Sequence, residues 1–247
     1  MTQLTDPGTY YDNYWSPDGF SPASNLSPFL AGLFDSRIRP DAVCLDVGCG
    51  DGQTAGIWLR EHGRSYVGVD ISESGVAAAR ALGLDARVIP DATSLPFEND
   101  SFDAIVCVEV LEHLFAPALT SAEMLRVLKP NGVLVATVPN VAYWRRRFEL
   151  MILGRFDPFG DGLSVEQPWR DPHIRFFSVG ALRRMLRSVG FWNIQIGGHE
   201  GAFVGDLPCL RRVRASRSSS RSYRLLERRL PAIMGLRLHA IAYKPGI

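Results

Sequence analysis

Nowhere does this 247-residue sequence approach the roughly 18 consecutive apolar residues that cross a bilayer, so no membrane span is expected. The opening, MTQLTDPGTYYDNYW, also lacks a basic start followed by an apolar run, which makes the cytoplasm the expected location. Net charge is nearly absent: 27 Lys plus Arg stand against 26 Asp plus Glu, so there is no overall field to draw in nucleic acid, and none is expected as a partner. Cysteine is scarce. Cys44, Cys49, Cys107 and Cys209 lack the paired spacing of a metal site, and three lie in apolar, strand-like runs, as buried thiols of a reducing compartment would. No repeat of solenoid period is present.

What is present is a rhythm. The runs AVCLDV, SYVGVD, ARVI, FDAIVCV and GVLVATV read as strands, and their lack of polar alternation suits burial on both faces. Between them GQTAGIWLREHG, SGVAAARALG and APALTSAEMLRVLKP carry apolar residues at helical spacing and end on Gly or Pro. That alternation predicts an α/β fold with a parallel sheet. After Val138 comes a stretch of turns and aromatics too long for a plain connection and expected to be a functional lid. SVGALRRMLRSVG then reads as a helix capped by Ser178 and stopped by Gly190, and the strands FWNIQIGG and LRLHAIAY follow. At 46% hydrophobic residues the chain suits one core.

VCLDVGCGDG, residues 43–52, runs from a strand into three glycines and two acids. Such a turn before a helix brings backbone N–H groups against a nucleotide at the carboxyl edge of the sheet. The dinucleotide fingerprint requires a glycine three positions beyond Gly50, and Gln53 stands there instead. Asp46 and Asp51 would repel a pyrophosphate but hold a ligand carrying an ammonium and a sulfonium. Asp70, ending VGVD, is placed for both hydroxyls of a ribose. Asp91 suits an adenine amino group, with Ile71 and Ala92 as apolar faces for the ring.

Taken together, LDVGCGDG, VGVDIS, DATSLPFENDSFDAIVCVEVLEHL and EMLRVLKPNGVLVATVPN resemble the class I S-adenosylmethionine-dependent methyltransferases. The resemblance implies a Rossmann-like sheet of seven strands in the order 3-2-1-4-5-7-6, the seventh antiparallel, with LRLHAIAY as that strand. It also implies that Asp46, Gly48, Cys49, Gly50 and Gly52 surround the methionine part of S-adenosylmethionine, that Asp70 holds the ribose, and that Asp91 with Ala92 holds adenine. Glu109 is implied to face the cofactor and the acceptor. Within the family, EVLEHL and HIRFFSVGALRRMLRSVGF are similar to ubiquinone-biosynthesis-type O-methyltransferases, and VPNVAYWRRRFELMILGRF resembles methionine-biosynthesis methyltransferase-like proteins. One methyltransferase domain is expected, with a cap over residues 1–40, a cofactor-binding core over 41–140, a lid and acceptor region over 141–177, and a C-terminal helix and strands over 178–247.

Transfer of a sulfonium methyl is an in-line displacement whose leaving group needs no proton, so alignment and exclusion of water are the main tasks. The expected reaction moves the methyl to a small molecule, with a hydroxyl oxygen the favoured acceptor atom, and releases S-adenosylhomocysteine. A hydroxyl needs a base, and His113 and His173 are the candidates. Tyr11, Trp15, Tyr143 and Trp144 are candidates for an aromatic acceptor pocket or for core beneath the lid. His62, His199 and His239 are expected to be structural or exposed, and Arg145, Arg146 and Arg147 a solvated face. No metal is expected, because the lid carries no clustered ligand set. Two rivals remain open: a module that binds a partner protein without turnover, and a lipid or RNA methyltransferase using Arg211 to Arg229 for weak contact with an anionic surface.

Overall fold

The computed structural model describes residues 6–16, 26–157, 163–166, 172–201 and 229–246. Seven strands form one sheet: β1 Val43–Val47, β2 Ser65–Asp70, β3 Ala86–Val88, β4 Phe102–Val108, β5 Leu128–Pro139, β6 Trp192–His199 and β7 Arg237–Tyr243. Their order is β3-β2-β1-β4-β5-β7-β6. The first five pair in parallel, and β7 inserts antiparallel between β5 and β6, as in Val135 opposite Ile241 and Ile241 opposite Gln195. Order and direction agree with the sequence expectation.

Helices cover both faces: α1 Pro7–Trp15, α2 Pro28–Arg37, α3 Gly56–Glu61, α4 Glu73–Ala81, α5 Pro117–Val127, α6 Trp144–Leu153, α7 Leu163–Glu166, α8 Val179–Val189 and α9 Pro231–Met234, with a 3₁₀ turn at Leu111–His113. Four of them, α1, α2, α5 and α9, start on a proline, whose fixed φ suits a first turn. Asp6, Ser27, Ser72 and Ser178 cap α1, α2, α4 and α8 through side-chain oxygens. Gly190 ends α8 at φ 116°, as expected.

Two boundaries differ from the sequence reading. Helix α5 was expected to reach Pro130 but stops at Val127, and Leu128 is already extended at ψ 139°. Pro130 drives Lys129 out of the helical region, so β5 begins at Leu128, four residues before the expected Gly132. Helix α3 begins four residues later than Gly52, because the glycine loop continues through turns before it.

The core lies on both sides of the sheet. Leu45, Ile105, Leu134 and Val138 face α5 and α8 on one side, and Cys44, Val106, Val135 and Ile241 face α2, α3 and α4 on the other. Burial on both faces is why these strands read as unbroken apolar runs. Cys44, Cys49 and Cys107 are buried and unpaired. Among the described residues no helix is long and apolar enough to cross a membrane. Cys209 and nearly all of the run from Arg211 to Arg229 lie outside the described residues.

Candidate functional site

The site grows from the carboxyl ends of β1, β2 and β4. Gly48, Gly50 and Gly52 all have positive φ, at 78°, 51° and 77°. A Cβ on Gly48 would run into the Val110 side chain, and one on Gly50 into the Trp15 ring. The loop is bare because its backbone must turn left-handed and its neighbours press against it. Gly48 and Cys49 donate their N–H groups to Val69 O at 2.8 and 3.1 Å, which holds the turn against the end of β2.

Asp70 ends β2 beneath this loop. Its Oδ2 accepts from Gly50 N at 2.8 Å and its Oδ1 from Ser72 N at 2.9 Å. Burial raises its pKa, and those backbone donors pull the other way. Asp46 lies one strand over and accepts from the Tyr66 hydroxyl at 3.1 Å, while burial pushes its carboxyl up to about 7. Asp51 accepts from its own neighbour, Gln53 N, at 3.0 Å. Asp91 is exposed, and its carboxylate closes a turn with the Thr93 N–H and hydroxyl. Ile71 and Ala92 are half-buried, and Ala92 packs on the core.

Helix α1 lies across this edge. Asp12 Oδ1 accepts from Ser72 Oγ at 2.8 Å and Ser74 N at 3.2 Å, so α1 is tied to the first turn of α4. Trp15 then packs on Gly50 and Gly75. Tyr11, on the same helix, meets the next turn instead: its ring centroid is 5.9 Å from that of His113. Burial raises its hydroxyl pKa first, and Tyr10, Glu112 and Asp70 add to the rise, so Tyr11 stands between the Asp70 end and the Glu112 end.

At the end of β4 the backbone of Glu109 is left-handed, with φ 55°. Its N–H donates to Thr137 O at 3.1 Å, and its carboxylate accepts from Thr137 Oγ1 at 2.8 Å and from Arg237 Nε at 3.1 Å. Arg237 also pairs with Glu200. A non-glycine residue at positive φ, bonded to two partners, Thr137 and Arg237, is the kind of strain that functional sites retain.

The next turn carries Glu112 and His113. His113 Nδ1 lies 3.3 Å from Pro172 O, and its ring centroid is 4.5 Å from that of His173. The two candidate bases, 60 positions apart in the sequence, therefore share one place. The backbone brings them there: Ile174 N and Arg175 N both donate to Glu112 O, at 3.0 and 2.9 Å. One donor atom from each of Glu112, His113 and His173 lies within 4.8 Å of the others. The expectation of no metal concerned the lid by itself, which supplies only His173 to this group; folding joins that histidine to the strand-end pair.

The aromatic candidates divide. Tyr11 and Trp15 are half-buried against His113 and the glycine loop, whereas Tyr143 is only 1% exposed and serves as core at the start of α6. Trp144 is half-buried beside it, with ring centroids 5.9 Å apart. Arg145 and Arg146 are not a free solvated face, since both pair with Glu149, at 2.8 and 3.1 Å. His199 is buried and His239 half-buried beside it, and loss of solvent lowers their pKa values to about 2 and about 4. Sequence reasoning missed Asp12, Tyr66, Thr137 and Arg237 as residues that position the site. Only Tyr66 carried a signal, since it shares a strand face with Gly68 and Asp70.

The comparisons with known proteins bear on what this arrangement serves. Residues 45–136 match a family described as Methyltransferase domain. The chain is similar to the ubiquinone biosynthesis O-methyltransferase of Hahella chejuensis, 33% identical over 51% of this chain and 56% of that one. It is similar to the 2-methyl-6-phytyl-1,4-hydroquinone methyltransferase of Synechocystis, 37% identical over 64% of this chain and 49% of that one. With the ubiquinone biosynthesis O-methyltransferase of Idiomarina loihiensis it shares 30% identity over 75% of this chain and 77% of that one. The chain thus spans about half the length of the first two and about three quarters of the third. Its fold is similar to that of a SAM-dependent methyltransferase from Archaeoglobus fulgidus, with a TM-score of 0.59 and 19% identity over 87% of this chain and 93% of that one. It is equally similar to the [4+2]-cyclase SpnF, with a TM-score of 0.60 and 21% identity over 97% and 95%. One fold hosting these two descriptions means that the reaction must be argued from the site.

Proposed function

Since this chain belongs to the class I S-adenosylmethionine-dependent methyltransferases, we propose that it transfers the methyl group of that cofactor to a hydroxyl oxygen of a small-molecule acceptor. The residues present suit the cofactor. Gly48, Gly50 and Gly52 hold a left-handed turn at the end of β1, Asp70 offers buried acceptor oxygens for a ribose diol, and Asp46 offers a buried carboxyl for a cationic end. When bound, the cofactor supplies an electrophilic sulfonium methyl.

The chain's own residues do the rest. Helix α1, held by Asp12, lays Trp15 and Tyr11 along the cleft, which excludes water from the reacting groups. The proton of the acceptor hydroxyl leaves toward the His113 and His173 pair. The observation that carries this reading is that pair: two imidazoles far apart in sequence meet 4.5 Å apart, next to a tyrosine that also feels Asp70. Two relatives are named for ubiquinone biosynthesis and one for a phytyl hydroquinone, which supports a ring hydroxyl of a phenol or hydroquinone as acceptor class.

The test is transfer of isotope-labelled methyl from S-adenosylmethionine into a panel of hydroquinones and catechols, read by mass spectrometry, with Asp70→Ala as blank. A labelled methyl ether absent from the blank is the expected result. Bound S-adenosylhomocysteine with no product from any phenolic acceptor would sink the hydroxyl reading and favour a partner-binding module.

A further inference from the structure

We infer that Tyr66 is a positioning residue for the cofactor: its hydroxyl holds the Asp46 carboxyl for the ammonium of the methionine end and ties cofactor affinity to the proton on Asp46. The inference rests on the cofactor assignment of the methyl-transfer reading, in which Asp46 takes that cationic end.

The strongest sign is the room made for the tyrosine. In the register of β1 and β2, Tyr66 stands opposite Cys44 and Gly68 opposite Asp46, so all four positions share one face of the sheet. The phenol is 9% exposed and runs along β2 over Gly68 to reach Asp46 Oδ2 at 3.1 Å. A Cβ on Gly68 would lie 2.5 Å from the Tyr66 hydroxyl oxygen and 2.8 Å from Cys49 Sγ. One on Gly56, the first residue of α3, would lie 2.8 Å from Tyr66 Cζ and 2.9 Å from its oxygen. Neither glycine is at positive φ, so the backbone does not demand glycine at either place. The tyrosine does. Phenylalanine would fill the same slot with no polar atom to satisfy, so what the tyrosine adds is its bond to Asp46. The Cys49 thiol lies against the same hydroxyl and donates to Gly50 O at 3.7 Å, which joins this group to the glycine loop above it.

Asp46 has no cation of its own. The titratable groups linked to it electrostatically are Tyr66 and Asp70 on β2, Cys49 on the loop, Cys44 on β1 and Cys107 on β4, and none of these is cationic. Burial holds the phenol and all three thiols protonated, which leaves Asp70 as the neighbour able to carry charge near neutral pH. For Asp46 itself, burial raises the carboxyl to about 7, the Tyr66 hydrogen bond draws it down, and the charge of Asp70 adds to the rise. A buried carboxylate without a counter-charge is unfavourable, so the charge that settles it has to arrive with a ligand. The ammonium of the cofactor supplies it, and the Asp46 proton leaves to solvent as the cofactor binds. Tyr66 occupies one carboxylate oxygen and leaves the other for the ammonium.

Affinity must then rise with pH through about 7 and level off above it, because the charged form of Asp46 is the one that binds. Without the hydroxyl the carboxyl is harder to charge, and the rise moves about one pH unit higher.

The experiment measures binding of S-adenosylhomocysteine and of methylthioadenosine by calorimetry at pH 6 and pH 8.5, on the parent chain, Tyr66→Phe and Asp46→Asn. Methylthioadenosine keeps the adenine and the ribose that Asp70 serves but has no ammonium. Tyr66→Phe should bind S-adenosylhomocysteine about tenfold more weakly than the parent at pH 6 and within about twofold of it at pH 8.5. Its affinity for methylthioadenosine should match the parent at both. Asp46→Asn should show the same pH dependence for the two ligands, and it carries the test if Tyr66→Phe does not fold. No loss at pH 6, or a loss equal at both pH values or for both ligands, marks Tyr66 as packing alone and overturns the inference. So does a pH dependence peculiar to S-adenosylhomocysteine that survives in Asp46→Asn. A parent chain that binds neither ligand would instead overturn the cofactor assignment itself, so the two failures are distinguishable.

Discussion

Asp46 is buried under the glycine loop with the Tyr66 hydroxyl on its Oδ2, and its pKa rises from 3.8 to about 7 because burial penalises the charged form. A carboxyl whose folded pKa exceeds its unfolded one adds stability below the unfolded value, and that stability is lost as pH rises through the folded one. Asp46→Asn keeps the acceptor for Tyr66 but removes this loss. Between pH 4 and pH 7 its stability relative to the parent should therefore climb, by on the order of 4 kcal/mol at the plateau. Urea unfolding at pH 5 and pH 8 reads the difference, and a gap that does not change with pH would mean that Asp46 titrates normally. Asp70 differs, since backbone N–H groups satisfy part of its carboxylate and the remaining lone pairs suit a ribose. Asp70→Ala should weaken S-adenosylhomocysteine binding about 100-fold or more, through two lost charge-assisted hydrogen bonds and a released Gly50. Calorimetry showing parental affinity would reject the ribose assignment. Asp70 was legible from its place at a strand end. Asp46 as a partner of Tyr66 was not, because that contact depends on the parallel register of β1 and β2.

Elements show the same division. Helix α8 was readable from end to end, since Ser178 and Gly190 act through bonds to their own helix. Ser178→Ala should cost about 1 kcal/mol, seen as a lower urea midpoint with unchanged slope. Helix α1 is different. Its sequence suggests a cap and aromatics, but what it covers is decided by Asp12 on Ser72 and Ser74, 60 and 62 positions away. Asp12→Ala should release α1 from α4, raise amide exchange across Pro7–Trp15 and speed cofactor dissociation severalfold, while leaving the sheet's exchange unchanged. Unchanged exchange in α1 would show that Trp15 packing alone holds the helix.

For the whole molecule, the last strand joins the fold. β7 bonds to β5 along its length and carries β6 on its outer edge, so the chain's final segment stands inside the sheet. Ending the chain at residue 236 would expose an edge of β5 that is buried on both faces and leave β6 without a neighbour. Such a truncation should lose cooperative thermal unfolding altogether, where a chain shortened only by the last residue should not. Arg237, the first residue of that strand, reaches Glu109 at the end of β4, so the same segment that completes the sheet also sets a site residue.

By itself the sequence determined the alternation of strands and helices, their caps, and the glycine loop with its two strand-end acids. Each of these rests on interactions between neighbours along the chain, or on burial that leaves a period of its own. Tertiary structure alone decided that His173 meets Glu112 and His113, that Arg237 holds Glu109, and that Asp12 seats α1 over the cleft. Those contacts join segments that share no local pattern, and only the closing of the sheet brings them within a hydrogen bond's length.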